Sequence, residues 1–296
     1  MVDIKQVAIV GGTHGNEFTG VHLVEHWEHA PSDIQRSNFN CELLLANPKA
    51  RNDVKRYIDQ DLNRQFSLKD LQSRQLSGYE HNRAKAINQL LGPKEDPRID
   101  FIFDLHTTTA NMGTTLVINT DDAFVLDMAF YIKQQMPEVV LFYEPEPRLE
   151  NSFLTSLGRH YGLLIEVGAT PQGLLRAEVV NNTKVALLHG LDFIEKHLNA
   201  KTIALEPSFE AFQFVKKIPF PENAQGQISA MIHPDRQDQD YKAIKPGDAL
   251  FIDFDGSTIS YAGDETVYAA FINEAAYYDR HIAMSLMKKI ELTRPS

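Results

Sequence analysis

His14 and Glu17 stand three residues apart in Val7-Ala-Ile-Val-Gly-Gly-Thr-His-Gly-Asn-Glu17, where an apolar stretch runs into two glycines and stops. A second apolar stretch, Phe101-Ile-Phe-Asp-Leu-His106, ends on another histidine. Two imidazole nitrogens and one carboxylate oxygen make the three-ligand set with which a catalytic zinc is held, the fourth position being left to water. Water on such an ion is acidic enough to attack near neutral pH, so these residues point to metal-assisted hydrolysis. Glu166 lies in a third apolar run, Leu163-Leu-Ile-Glu-Val167, where a carboxylate is costly to bury unless something uses it. It reads as a general base for the metal's water, with a fourth structural ligand or half of a buried ion pair as alternatives. Burial raises a carboxyl's pKa and suits it to passing the proton on to a leaving amine.

Other segments admit a bland and a chemical reading. Gly11-Gly12 lacks the third glycine of a dinucleotide loop and the Gly-Lys-Ser/Thr of a phosphate loop, so a sharp turn that brings His14 and Glu17 inward is the better account. Arg56-Tyr-Ile-Asp-Gln-Asp-Leu-Asn-Arg64 is a solvated loop or a supply of guanidinium groups for a carboxylate and an oxyanion. In Asn273-Glu-Ala-Ala-Tyr-Tyr278 the tyrosines are packing, or one hydroxyl closes the site from the far end of the chain.

Positioning these groups requires strands. Val7–Val10, Glu42–Ala46, Phe101–Leu105, Thr114–Ile118, Val139–Tyr143 and Leu163–Val167 are short runs, several apolar on both faces, as in a sheet covered on both sides. Helical patterns at Phe18–Trp27, Asp122–Met136 and Lys184–Leu198 alternate with them, which predicts an α/β architecture. His14, His106 and Glu166 then all fall at strand ends, where open α/β sheets gather ligands. Beyond residue 200 the helical patterns give way to strand candidates at Phe209–Ile218, Ile228–Ile232, Ala249–Phe254, Val267–Ile272 and Ile290–Thr293, separated by turn signals. Residues 1–200 thus read as a catalytic domain and 201–296 as a smaller, mostly β domain.

The 296 residues are 43% hydrophobic, enough for a sizeable core, and the net charge of −11 argues against nucleic acid as a partner. Cys41 is the only cysteine, which rules out an intrachain disulfide and fits a reducing compartment. The first residues lack the apolar stretch of a secretory signal and no run is long enough to span a bilayer, so a cytoplasmic protein acting on a small molecule is expected, with a homo-oligomer left open.

Taken in order, Gly11-Gly-Thr-His-Gly-Asn-Glu17, Tyr57-Ile-Asp-Gln-Asp-Leu-Asn-Arg64, Phe103-Asp-Leu-His106, Ile165-Glu-Val-Gly168, Pro171-Gln-Gly173, Ile232-His-Pro234, Gln237-Asp-Gln-Asp240 and Asn273-Glu-Ala-Ala-Tyr-Tyr278 resemble the aspartoacylase family, a branch of the zinc carboxypeptidase-like fold. The resemblance implies a mixed sheet flanked by helices and one zinc per chain on His14, Glu17 and His106. It implies a zinc-dependent amidohydrolase of N-acyl-L-amino acids, N-acetyl-L-aspartate above all. Glu166 becomes the general base and acid, Arg56 the group that polarises the scissile carbonyl, and Asn63, Arg64 and Tyr277 the holders of the substrate's carboxylate end, with Asp61 in support. The family's two cations for a side-chain carboxylate fall here on Ser156 and His281, with Arg148, Arg159 and Arg280 as candidate replacements. That departure keeps N-acyl neutral or aromatic amino acids and N-succinylglutamate open as substrates, beside a non-catalytic zinc-binding protein.

Overall fold

The computed structural model describes residues 2–294. The chain opens with β1 (Gln6–Gly11), α1 (Phe18–His29), β2 (Asn40–Leu45), α2 (Pro48–Asn52), α3 (Leu68–Gln72) and α4 (Tyr79–Leu90). There follow β3 (Phe101–Thr107), β4 (Gly113–Ile118), α5 (Ala123–Gln135), β5 (Val140–Tyr143), β6 (Gly162–Gly168) and α6 (Ala177–Leu198). The remainder is β7 (Ser208–Pro219), β8 (Ala230–Ile232), β9 (Ala243–Ile244), β10 (Ala249–Asp253), β11 (Thr258–Ser260), β12 (Val267–Ala270) and β13 (Ile282–Thr293). Among the described residues, no helix is long and apolar enough to cross a membrane.

Ten strands form one mixed sheet in the order β2-β1-β3-β6-β4-β5-β7-β13-β12-β9. β2, β1, β3 and β6 run parallel, and β4 pairs antiparallel to β6. The carboxyl ends of β1, β3 and β6 therefore share one edge, and that edge carries the candidate ligands. Alternation along each strand divides the core. Val7, Ile9, Phe101, Phe103, Leu105, Leu163 and Ile165 face a layer built with Trp27 of α1, Phe130 of α5 and Leu187 and Leu191 of α6. Ala8, Val10 and Ile102 face the opposite layer with Leu62, Phe66, Ile87 of α4 and Leu154. Asp104, His106 and Glu166 fall on this second face by the period of two.

Three differences from the sequence reading have physical causes. The last helix starts at Ala177 rather than Lys184; Thr183 returns its hydroxyl to the Val179 carbonyl at 2.8 Å and stays helical. α4 was not expected, because its buried face carries Glu80, His81 and Asn88 among few apolar residues. The strand expected at Ile290–Thr293 is the end of a 12-residue strand whose first half, Ala283–Met287, is buried. The strands after residue 200 also do more than build a lobe. β7, β13, β12 and β9 extend the main sheet, while β8, β10 and β11 form a separate three-stranded sheet.

Candidate active site

Gly12, at φ +66°, turns the chain out of β1, and Gly15 lets the loop lie against α2: a Cβ there would fall 2.1 Å from the Ala50 carbonyl carbon. His14 and Glu17 are thereby directed inward, 3% and 2% exposed, and Glu17 is the residue preceding the first turn of α1. His106 approaches from β3. His14 Nδ1 lies 2.6 Å from Glu17 Oε1, His106 Nδ1 lies 2.9 Å from Glu17 Oε2, and the two Nδ1 atoms are 3.2 Å apart. The other ring nitrogens go to carboxylates: His14 Nε2 is 2.9 Å from Asp61 Oδ1 and His106 Nε2 is 2.8 Å from Asp104 Oδ2. Asp104 is fixed in turn by the Thr13 hydroxyl at 2.7 Å. The His14 Nε2–H goes to Asp61 and His106 Nε2 packs against Asp104, which leaves both Nδ1 lone pairs facing the Glu17 oxygens. Such a set of acceptors repels itself unless a cation sits among them, so these residues fit a metal ion, and among the described residues His14, Glu17 and His106 form the one group of metal-ligating type close enough to hold it. Burial works against the Glu17 charge, yet His14 and His106 hold its carboxyl below its ordinary value.

Glu166 sits on β6 directly beside His106, its register partner on β3. Burial, with Glu17 close by, raises its carboxyl to about 8. Arg56 bonds Glu17 Oε1 at 3.1 Å and Asp61 Oδ2 at 3.2 Å, which keeps its guanidinium charged at the cavity wall. Asn63 accepts from the Leu154 N–H at 2.8 Å, and the Arg64 guanidinium stacks 4.5 Å over the Phe153 ring. A cavity of about 50 Å³ is lined by His14, Arg56, Asn63, Arg64, His106, Phe153, Glu166 and Tyr277 among others. A smaller one of about 20 Å³ shares Arg56, Glu166 and Tyr277 with it.

Most sequence candidates are thus brought together, and some are not. Asp61, grouped with the substrate holders, lies behind His14 as its hydrogen-bond partner. Tyr277 lines the cavities, whereas Tyr278 turns its hydroxyl to Asn273 Oδ1 at 2.5 Å. Ser156 is fully buried, with its Oγ 2.8 Å from Lys94 Nζ, and cannot face a substrate. His281 Nδ1 pairs with Glu222 Oε1 at 2.6 Å. Arg148 donates to the carbonyls of Lys94 at 3.0 Å and Ser156 at 3.3 Å, and Arg159 contacts Asp100 at 3.3 Å, so both are committed elsewhere. Arg280 is exposed at the end of the turn that carries Tyr277. Two residues escaped the sequence reading. Lys217 on β7 holds its ammonium 5.8 Å from the Tyr277 ring centre. Glu274, 3% exposed, accepts from Thr109 N at 2.8 Å, Thr109 Oγ1 at 2.9 Å and the Thr108 hydroxyl, tying the loop after β12 to the loop after β3. Its signal was the Thr107-Thr-Thr109 run directly after His106.

The family model of the succinylglutamate desuccinylase/aspartoacylase catalytic domain matches residues 3–194, and that of the AstE/AspA barrel-sandwich hybrid domain matches residues 207–289. The chain belongs to the succinylglutamate desuccinylase/aspartoacylase family. Members similar to it include a probable aspartoacylase of Trichodesmium erythraeum (strain IMS101), 45% identical over 98% of both chains. The aspartoacylase of Mus musculus is 40% identical over 99% of this chain and 95% of its own. The N-acyl-aromatic-L-amino acid amidohydrolase (carboxylate-forming) of Homo sapiens is also 40% identical, over 99% of this chain and 93% of its own. Among solved structures, murine aminoacylase 3 superposes with a TM-score of 0.91 at 38% identity, covering 100% of this chain and 98% of that one.

Proposed function

We propose that this family member is a zinc-dependent amidohydrolase that cleaves N-acyl-L-amino acids into a carboxylate and the free amino acid, with N-acetyl-L-aspartate as its foremost substrate. One observation carries the reading: two Nδ1 lone pairs and a carboxylate converge at the edge of a cavity that also receives Glu166, Arg56 and Arg64. One zinc ion held by His14, Glu17 and His106 supplies Lewis-acid activation of water and of the scissile carbonyl. Glu166, beside His106, takes the proton from the attacking water and hands it to the departing amine nitrogen. Arg56 places positive charge where the carbonyl oxygen becomes negative. Arg64, with Asn63 and the Tyr277 hydroxyl, binds the amino acid's α-carboxylate, for which a planar guanidinium is the suited partner.

Relatives of similar identity bear both an aspartate name and an aromatic one, so the side-chain specificity must come from this chain's own residues. Ser156 and His281 supply no free cation to the cavity. Lys217, whose ammonium lies 5.8 Å from the ring centre of the cavity-lining Tyr277, is the cation we assign to a second carboxylate of the substrate. The test is turnover by the purified, metal-analysed protein of N-acetyl-aspartate, N-acetyl-asparagine and an N-acetyl aromatic amino acid side by side. Preference for the aspartate derivative is expected. Preference for the aromatic one overturns the substrate, and zinc binding without turnover of any of the three overturns the enzyme.

A further inference from the structure

Lys94 is 1% exposed, and no carboxylate pairs with it among the described residues. It is presented by the loop after α4, where its own N–H is held by Asn88 Oδ1 at 2.8 Å. Its ammonium donates to three acceptors: the Phe66 carbonyl at 2.7 Å, the Asn151 carbonyl at 2.7 Å and Ser156 Oγ at 2.8 Å. Three N–H groups meet three acceptors, which fully satisfies a buried charge with dipoles alone. The acceptors come from two segments. Phe66 ends the segment that carries Asn63 and Arg64; Asn151 and Ser156 flank Phe153, on which Arg64 stacks. Two direct links also join these segments, Leu154 N to Asn63 Oδ1 at 2.8 Å and Phe66 N to the Ser152 carbonyl at 3.2 Å.

We propose, resting on the amidohydrolase reading, that Lys94 is a positioning residue for substrate recognition: its ammonium clamps the Asn63–Phe66 segment to the Asn151–Ser156 segment and so sets the place of Arg64 for the substrate's α-carboxylate. The clamp lies behind the wall and touches no substrate. It acts first on binding: the zinc ligands and Glu166 hang from β1, β3 and β6, and the clamped segment meets them only at its near end, through Asn63 Nδ2 3.4 Å from His106 Nε2 and the Asp61 cap that holds His14. It also depends on its third proton. A neutral amine has two N–H groups for three acceptors and turns a lone pair toward an oxygen. Burial lowers this group to about 7, with Arg148 pushing the same way and Glu146 opposing; both come from the segment after β5, while the Asn63–Phe66 segment offers it the Phe66 carbonyl. The charged form that clamps is therefore the low-pH form, and recognition weakens as pH rises through neutrality.

The experiment measures kcat and KM for the best substrate of the panel, between pH 6 and 8.5, for wild type, Lys94→Met and Ser156→Ala, with zinc content determined for each. Wild-type turnover tests the amidohydrolase reading by itself; the variants test the clamp. Lys94→Met keeps the length and removes the donors, so at pH 6 its KM should be about 10-fold above wild type, the cost of one net charged hydrogen-bond group, with kcat and zinc content retained. Wild-type KM should climb with pH and the Met variant's should stay flat. Ser156→Ala removes one of three acceptors and should give a smaller rise in KM; it decides the question if Lys94→Met does not fold. A Lys94→Met protein with wild-type KM and only a lowered Tm shows a structural prop and overturns the proposal. So does a fall in kcat at unchanged KM, or, where only Ser156→Ala folds, an unchanged KM in that variant.

Discussion

At the residue scale, the proposed roles separate groups that would hold a metal from a group that would move protons, and substitutions can tell them apart. Glu166 is beside His106 without sharing its convergence on Glu17. Glu166→Gln should keep stoichiometric zinc and lose kcat by about 10²–10⁴-fold, the worth of a general acid–base group; zinc loss in that variant would instead make Glu166 a ligand. Asp104 is the reverse case. It touches no substrate but fixes His106 through Nε2, and Asp104→Asn should weaken zinc about 10- to 100-fold in chelator competition, while activity at saturating zinc largely survives. Equal zinc affinity in wild type and variant removes Asp104 from the site. The clustering of His14, Glu17 and His106 was readable because Gly-Gly-Thr-His-Gly-Asn-Glu and Asp-Leu-His place rare donor types at strand ends. The sequence could not reveal that Ser156 turns inward to Lys94, since that contact joins segments 62 residues apart and leaves no local pattern.

At the element scale, the site depends on how closely α1 approaches β1 and β3. A Cβ on Gly11 would fall 2.2 Å from the Gly20 carbonyl oxygen, and one on Gly20 would fall 2.7 Å from that of Leu105. Backbone on both sides leaves no flexible end to yield. Gly11→Ala should therefore shift α1, carry Glu17 away from His106, cost about 1–3 kcal/mol in denaturant unfolding and lower zinc affinity with it; an unchanged midpoint and affinity would show that the layers tolerate the methyl. The loop between β8 and β9 behaves differently. Asp240 Oδ1 accepts from the Ile272 N–H at 3.1 Å, while Oδ2 is buried with no partner among the described residues. Burial raises this carboxyl to about 7 from an ordinary 3.8, so its favourable contribution is full below 3.8 and is lost as pH climbs through about 7. Asp240→Asn has no charge to bury. Its Tm should match wild type near pH 4 and exceed it by about a few degrees at pH 8; a gap independent of pH sinks the assignment. The apolar strands were legible because their runs are short and bounded, whereas α4 was hidden by the polar residues it buries.

At the scale of the whole molecule, we propose that the division near residue 200 is one of chain and not of sheet. β7 joins β5 at Phe142–Phe212 and Tyr143–Gln213, and Ala211 and Leu292 pack into the same layer as the first helices. The late part of the chain also reaches the cavity, through Phe271, Glu274 and Tyr277. Composition alone could show the change from helical to strand patterns, but not that a sheet begun by β1 is continued by strands added after six others. The paired tyrosines test whether this late part takes part in binding or only in packing. Both are phenols on one turn, so removal of either hydroxyl makes the same change in chemistry. Tyr277 lines both cavities and is surrounded by Arg64 and Arg56; Tyr278 is exposed and bonded to Asn273. A hydroxyl that donates to a carboxylate contributes about 1.5–3 kcal/mol, so Tyr277→Phe should lower kcat/KM by about 10- to 100-fold. Tyr278→Phe should leave it within about twofold, since an exposed hydrogen bond contributes little net free energy. Equal losses in the two variants would show that the turn acts only as a packed lid. Loss confined to Tyr278→Phe would place the substrate on the other side of the turn and overturn the recognition scheme.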